Sequence, residues 1–265
     1  MPRLLSTFSL ATLAILATGD AQAFEPAGRD IPYDVDGETF EGYLVTAEHK
    51  ARGTVLVIHD WDGLDDYERR RADMLAAQGY DAFALDLYGQ GNRPLETSAK
   101  KAETAKLYED RERMRTLTLA GLAEAREQGL ADTAVVMGYC FGGAVVLELA
   151  RSGEAENVAG YATFHGGLST PEGQQYGSDT PPLLIAHGGA DTSVPLEEVV
   201  TLAQELEAAE VTYEIEIYSG APHAFTVFTE DRYQQRADEK SWAAFQDLLA
   251  EVLPAGHNDA QVGSG

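Results

Sequence analysis

Short apolar runs alternate with stretches of helical periodicity along most of the chain, and this alternation restricts the fold more than any other feature. The runs are residues 54–59 (TVLVIH), 81–86 (DAFALD), 134–139 (AVVMGY), 158–164 (VAGYATF) and 183–187 (LLIAH). Strands this short and this apolar are covered on both faces. The helical stretches are 65–78, closed by Gly79, then 96–127, 142–150, 195–209 and 238–252. The long second stretch carries Leu107, Met114, Leu117 and Leu122 as apolar positions, with Gly121 and Gly129 to interrupt or bound it. Pro195 sits in the first turn of its helix, where its missing N–H costs nothing. The last helix turns Trp242, Phe245, Leu248 and Leu249 inward. Strands joined through helices run parallel and place helices on both faces of one sheet.

Two segments depart from that pattern. Residues 31–35 and 38–46 flank Asp36-Gly37, a pair that favours a tight two-residue hairpin. Residues 211–218 alternate Val211, Tyr213, Ile215 and Ile217 with Thr212, Glu214, Glu216 and Tyr218, the pattern of a half-exposed strand. The expected fold class is therefore α/β, with a mostly parallel central sheet and an N-terminal antiparallel hairpin. Hydrophobic residues make up 44% of the 265 and are spread throughout, so residues 24–253 read as a single domain. The Gly-rich polar segment 254–265 reads as a disordered tail.

A parallel sheet of this kind gathers its chemistry at the carboxyl ends of the strands. Those ends fall at His59, Tyr139, His187 and Tyr218. After the third comes Gly188-Gly189-Ala190-Asp191, and after the fourth Ser219-Gly220-Ala221-Pro222-His223. Gly138-Tyr139-Cys140-Phe141-Gly142-Gly143 spans the end of one strand and opens a helix. A nucleophile on such a sharp turn needs small neighbours for the backbone to pass, and the glycines supply them. The amino end of the helix favours a thiolate and a developing oxyanion. A structural cysteine beside a glycine-rich turn would give the same six letters. The order nucleophile, acid, histidine on three loops at one sheet edge favours a catalytic reading of Cys140, Asp191 and His223.

Charge and targeting signals narrow the partners. The net charge of −25 repels phosphate backbones and anionic lipid, so neither nucleic acid nor a membrane surface is expected as a partner. Residues 1–23 read as a secretory leader: Arg3, then an apolar stretch over 4–17, then Ala21-Gln22-Ala23 before Phe24. The apolar stretch is shorter than the roughly 20 residues that span a bilayer. Export to the periplasm or the medium is the expectation. Cys140 is the only cysteine, so no intramolecular disulfide can form. A lone thiol in an oxidising compartment must be buried or employed. Scattered His and Asp lack metal-ligand spacing, no Gly-rich phosphate loop is present, and no cofactor is expected. His59 and His165 end strands near the site without an assigned role.

Taken together, His59 to Tyr67 (HDWDGLDDY), Arg69 to Tyr80 (RRRADMLAAQGY), Asp86 to Gly89 (DLYG), GYCFGG, HGGAD and His223 to Phe225 (HAF) resemble the dienelactone hydrolases over nearly the whole mature chain. The resemblance implies an α/β-hydrolase fold and a Cys140–His223–Asp191 triad. It also implies an oxyanion hole built from the backbone N–H groups of Trp61 and Phe141. It implies a carboxylate that holds the resting thiol, and Asp60 stands at that place, one methylene shorter than the Glu many members carry. Family members that cleave dienelactone use arginines to grip the substrate carboxylate. Here Gly89-Gln90-Gly91 and Thr226-Val227-Phe228 occupy those places. Arg93 is the substitute within reach for the first, and the second has none. A neutral substrate follows, because a missing bidentate clamp removes both affinity and orientation for a carboxylate. Trp61 and Phe225 are the expected apolar contacts, with Tyr88, Phe141 and Phe228 as further aromatic residues nearby.

The function expected is hydrolysis of a small neutral carboxylic ester or lactone through a cysteine acyl-enzyme, by a monomer or small homo-oligomer. Three rivals use the same residues differently. An envelope binding protein would keep the scaffold without turnover. A redox sensor would use Cys140 for reversible oxidation. An acyltransferase would pass the acyl group to an acceptor other than water.

Overall fold

The computed structural model describes residues 27–228 and 230–253, so the leader-like segment 1–23 and the tail 254–265 lie outside the described residues. Eight strands form one sheet in the order β1-β2-β4-β3-β5-β6-β7-β8. They are β1 (Arg29–Val35), β2 (Glu38–Val45), β3 (Thr54–Ile58), β4 (Asp81–Leu85), β5 (Ala134–Tyr139), β6 (Val158–Phe164), β7 (Leu183–Gly188) and β8 (Tyr213–Tyr218). The first two form the antiparallel hairpin, with Val35 opposite Glu38 across Asp36-Gly37. β2 pairs antiparallel with β4, and every pairing from β4 through β8 is parallel. The positive φ of Asp36 and Gly37, 54° and 84°, is the conformation a primed hairpin turn demands.

Helices α1 (Asp66–Ala77), α2 (Thr97–Glu109), α3 (Arg111–Glu127), α4 (Phe141–Ser152) and α5 (Leu196–Ala208) lie in the connections between strands, and α6 (Gln235–Val252) follows the last strand. Successive residues of each central strand feed opposite cores. Val55 and Val57 join one cluster with Ala72 and Leu75 of α1 and Phe245 and Leu249 of α6. Leu56 and Ile58 join the other with Met114 of α3, Val145 of α4 and Leu202 of α5. This two-sided burial explains why the runs read as nearly continuous apolar letters.

Three expectations need correction. The stretch 96–127 is two helices. Asp110 breaks it at φ −121°, ψ 78°, and its side chain accepts a hydrogen bond from the Arg113 N–H to start α3. A short polar side chain that satisfies an orphan N–H outcompetes the continuous helix at that point. Gly121 lies inside α3 instead of interrupting it, and packs so closely on Leu85 that a Cβ would meet it at 3.1 Å. The last strand begins at Tyr213, because the Val211 N–H turns back to the Leu206 carbonyl at the end of α5.

A buried polar link ties this frame to the loop after β8. Arg71 of α1 is fully buried, pairs with Asp238 of α6, and donates to the Thr226 carbonyl at 2.9 Å. The Tyr67 hydroxyl joins Thr226 Oγ1 at 2.6 Å. Buried charges persist only when paired and hydrogen-bonded, and here the pairing holds α1, α6 and the 223–228 loop together.

Candidate active site

The turn between β5 and α4 carries Cys140 at φ 50°, ψ −110°, backbone that an L-residue adopts only under constraint. The constraint is the crossing of two backbones. A Cβ on Gly142 would stand 2.4 Å from the Ile58 carbonyl oxygen, and one on Gly138 would stand 2.3 Å from that of Gly142. Both positions therefore have to be glycine for the turn to lie this close to β3. His165 and Ala224 also adopt positive φ, 41° and 62°, so backbone strain gathers around the same end of the sheet.

Three side chains meet there. Cys140 Sγ lies 3.0 Å from His223 Nε2, and His223 Nδ1 lies 2.8 Å from Asp191 Oδ2. Asp191 Oδ1 accepts from the N–H groups of Ser193 (2.8 Å) and Val194 (3.0 Å). A carboxylate only accepts, so His223 Nδ1 carries its proton and Nε2 is left to accept from the thiol. Burial alone would raise the Asp191 carboxyl, but the His223 bond and the two backbone N–H groups outweigh it and hold the pKa below the usual value.

The sequence leaves the resting charge of the thiol open, and burial decides it. Burial, then the neighbouring Asp60 charge, push it up to about 12, against the lowering effect of the Phe141 N–H. The helix amino end is too small a term to overcome desolvation, and the resting group is a neutral thiol. Asp60 does not hydrogen-bond to the sulfur among the described residues; its Oδ1 accepts from the Asp62 N–H at 2.8 Å. It acts on the thiol through charge. Burial, then Asp62, raise the Asp60 carboxyl from 3.8 to about 7. Glu68, buried in the first turn of α1, also accepts from the Asp60 N–H at 3.4 Å and is itself pushed well up by burial.

The direction of these shifts makes a prediction. Asp60 is charged only above about pH 7, and there it opposes ionisation of Cys140. Asp60→Asn should speed iodoacetamide alkylation of Cys140 by roughly three- to tenfold near pH 8.5, with no change near pH 5.5. A raised folded-state carboxyl also loses stability as pH climbs from 3.8 to about 7. The same variant should therefore melt higher than the parent near pH 8 and equally near pH 4. Equal alkylation rates at both pH values would remove Asp60 from the account.

A cavity of about 290 Å³ opens over the sulfur. Trp61, Phe141, Val194, Ala224 and Val227 give it apolar walls, and Thr104 and Tyr108 close it from α2. Asp60, Asp62, Glu230 and Arg232 supply its charges. Of the residues singled out in the sequence, Trp61, Phe141 and Asp60 line this cavity. Phe225 does not: it is fully buried, edge-on to His165 at 5.3 Å, and belongs to the core. The strained turn at Ala224 sends its side chain inward and leaves Ala224 and Val227 to face the cavity. Arg93 is also absent from the cavity walls, because Glu41 of β2 captures its guanidinium at 2.7 Å. Tyr88 stands behind Phe141 at 6.0 Å, and Phe228 stacks under the Arg71 guanidinium at 4.2 Å; neither lines the cavity. Sequence reasoning missed the α2 wall, whose helix shows almost no amphipathic pattern, and missed Arg232, which lies nine places beyond His223 in a loop without periodicity.

A mostly parallel sheet with a cysteine on a strand-to-helix turn, followed in the chain by an aspartate and then a histidine on later strand ends, has the arrangement of an α/β-hydrolase. The model of the dienelactone hydrolase family matches residues 40–253, and the chain belongs to that family and is a hydrolase of its kind. Similar proteins include a putative carboxymethylenebutenolidase of Salmonella typhimurium, 28% identical over 77% of this chain and 79% of that one. A carboxymethylenebutenolidase homolog of Mus musculus is 27% identical over 73% of this chain and 78% of its own. Among solved structures, a dienelactone hydrolase-like promiscuous phosphotriesterase from metagenomic libraries superposes with a TM-score of 0.80 at 27% identity, covering 86% of this chain and 99% of that one.

Proposed function

We propose that the protein hydrolyses a small neutral carboxylic ester or lactone through a thioester on Cys140. The observation that carries this reading is the Sγ–Nε2–Nδ1–Oδ2 relay, with both contacts at or below 3.0 Å, beneath a mostly apolar cavity. As the sulfur attacks the carbonyl carbon, its proton moves to His223 Nε2 and the carbonyl π pair moves onto oxygen. The N–H groups of Trp61 and Phe141 hold that oxyanion, and preorganised donors of this sort lower barriers by several kcal/mol. The C–O bond then breaks, and His223 Nε2–H protonates the departing alkoxide. Water adds to the thioester, giving its proton to His223. Collapse releases the carboxylic acid, and the sulfur recovers its proton. Asp191 keeps Nδ1–H in place throughout. On residues 1–23 alone we place this activity outside the cytoplasm, with Phe24 as the mature N-terminus.

Arg232 favours a second reading of the substrate. It is the one Lys or Arg among the residues lining the cavity, and a 3.7 Å pair with Glu230 is its only ion pair among the described residues. A carboxylate-bearing lactone would find a cation there. Against it stand Asp60, Asp62 and Glu230 on the same walls and the overall charge of −25. A panel of neutral and carboxylate-bearing lactones on the parent and on Arg232→Ala separates the two. The neutral reading expects higher kcat/KM on neutral members and a change under about threefold in the variant. A preference for the carboxylates that falls about tenfold or more in Arg232→Ala would establish the second reading. Product analysis with added alcohols separates hydrolysis from acyl transfer.

A further inference from the structure

We infer that His59 is a positioning residue that aims the oxyanion-hole peptide. The inference rests on the cysteine hydrolase reading above. His59 follows β3 and is fully buried. Its Nδ1 lies 2.6 Å from the Asp60 carbonyl oxygen, and the Leu87 N–H donates to its Nε2 at 3.1 Å. These two partners fix the tautomer without ambiguity. A carbonyl oxygen only accepts, so Nδ1 carries a proton; a backbone N–H only donates, so Nε2 carries none. Protonating Nε2 would set it against the Leu87 N–H, and burial holds the ring's pKa down at about 4.

The consequence lies in the peptide bond. The Asp60 carbonyl and the Trp61 N–H belong to one planar unit and, in a trans peptide, point in opposite directions. By holding the carbonyl, the imidazole sets the direction of the Trp61 N–H. That N–H donates to no other described residue, which leaves it available to an oxyanion. The His59 backbone is fixed as well, since its carbonyl passes close to Gly142 beside the second donor, Phe141. Tyr88, edge-on to the imidazole at 4.6 Å, wedges the ring in place. One residue thus links the β3 loop, the β4 loop and the turn at Cys140.

The test compares His59→Leu with His59→Asn. Both are γ-branched and similar in size, and both leave a similar gap, but only asparagine retains a donor near the place of Nδ1. The leucine variant should lose about 10- to 100-fold in kcat on an aryl ester, with KM changed less than about twofold. The asparagine variant should recover most of that loss. Alkylation of Cys140 by iodoacetamide needs the thiol and not the oxyanion hole, so its rate should be alike in the parent and both variants. Equal kcat in the two variants, or alkylation that falls in step with kcat, would overturn the role of His59. Turnover that survives complete alkylation of Cys140 would instead overturn the cysteine reading, and this inference with it.

Discussion

Cys140→Ala is expected to lower kcat/KM for ester hydrolysis by about 10⁴-fold or more, because the remaining site can bind and polarise a carbonyl but cannot form the acyl-enzyme. The fold should survive. The Cys140 side chain meets His223 and no structural network, and the constraint on the turn comes from Gly138 and Gly142 packing on backbone. Alanine fills the Cβ position already present, so the melting temperature should stay within a few degrees of the parent. Steady-state kinetics on a short-chain aryl ester, with thermal melts of both proteins, check this. Turnover near the parent level in the variant would end the covalent mechanism.

Asp191→Asn should cost about as much, on the order of 10⁴-fold in kcat, while leaving the loop in place. The reason is directional. Oδ1 accepts from the Ser193 and Val194 N–H groups, and this fixes the amide oxygen of the asparagine on that side. Its NH₂ group must then face His223 Nδ1. A donor facing Nδ1 drives the imidazole proton to Nε2, where it confronts the Cys140 thiol and can no longer accept from it. The drop should appear in kcat, with KM changed little. A variant that keeps more than about a tenth of the parental kcat would show that Asp191 does not select the tautomer.

The sequence made the frame and the relay legible for definite reasons. Strands buried on both faces cannot tolerate charge, so β3, β4 and β5 stand out as letters. The glycines at 138 and 142 are dictated by approaches of 2.3 and 2.4 Å, contacts that admit no other residue. What escaped was decided by tertiary context. The break at Asp110 turns on one side chain preferring a cap over helix interior. Phe225 looked like a pocket wall from its position beside His223, yet the positive φ of Ala224 rotates it into the core. Arg93 looked free until Glu41 claimed it across 52 residues. The helix end at Cys140 favours a thiolate, but its burial, which the letters do not show, dominates the ionisation. Each of these turns on partners distant in the chain, which periodicity cannot show.

In the proposed mechanism the neutral resting thiol gives up its proton only as the carbonyl is attacked, so the covalent intermediate is the event to observe. Intact-protein mass spectrometry after rapid acid quench, during turnover of a slow aryl ester, reads it directly. The account predicts a mass increase equal to one acyl group, mapped to the peptide that contains Cys140 and removed by hydroxylamine. Steady turnover with no adduct on that peptide, undiminished after the thiol has been alkylated, would contradict it.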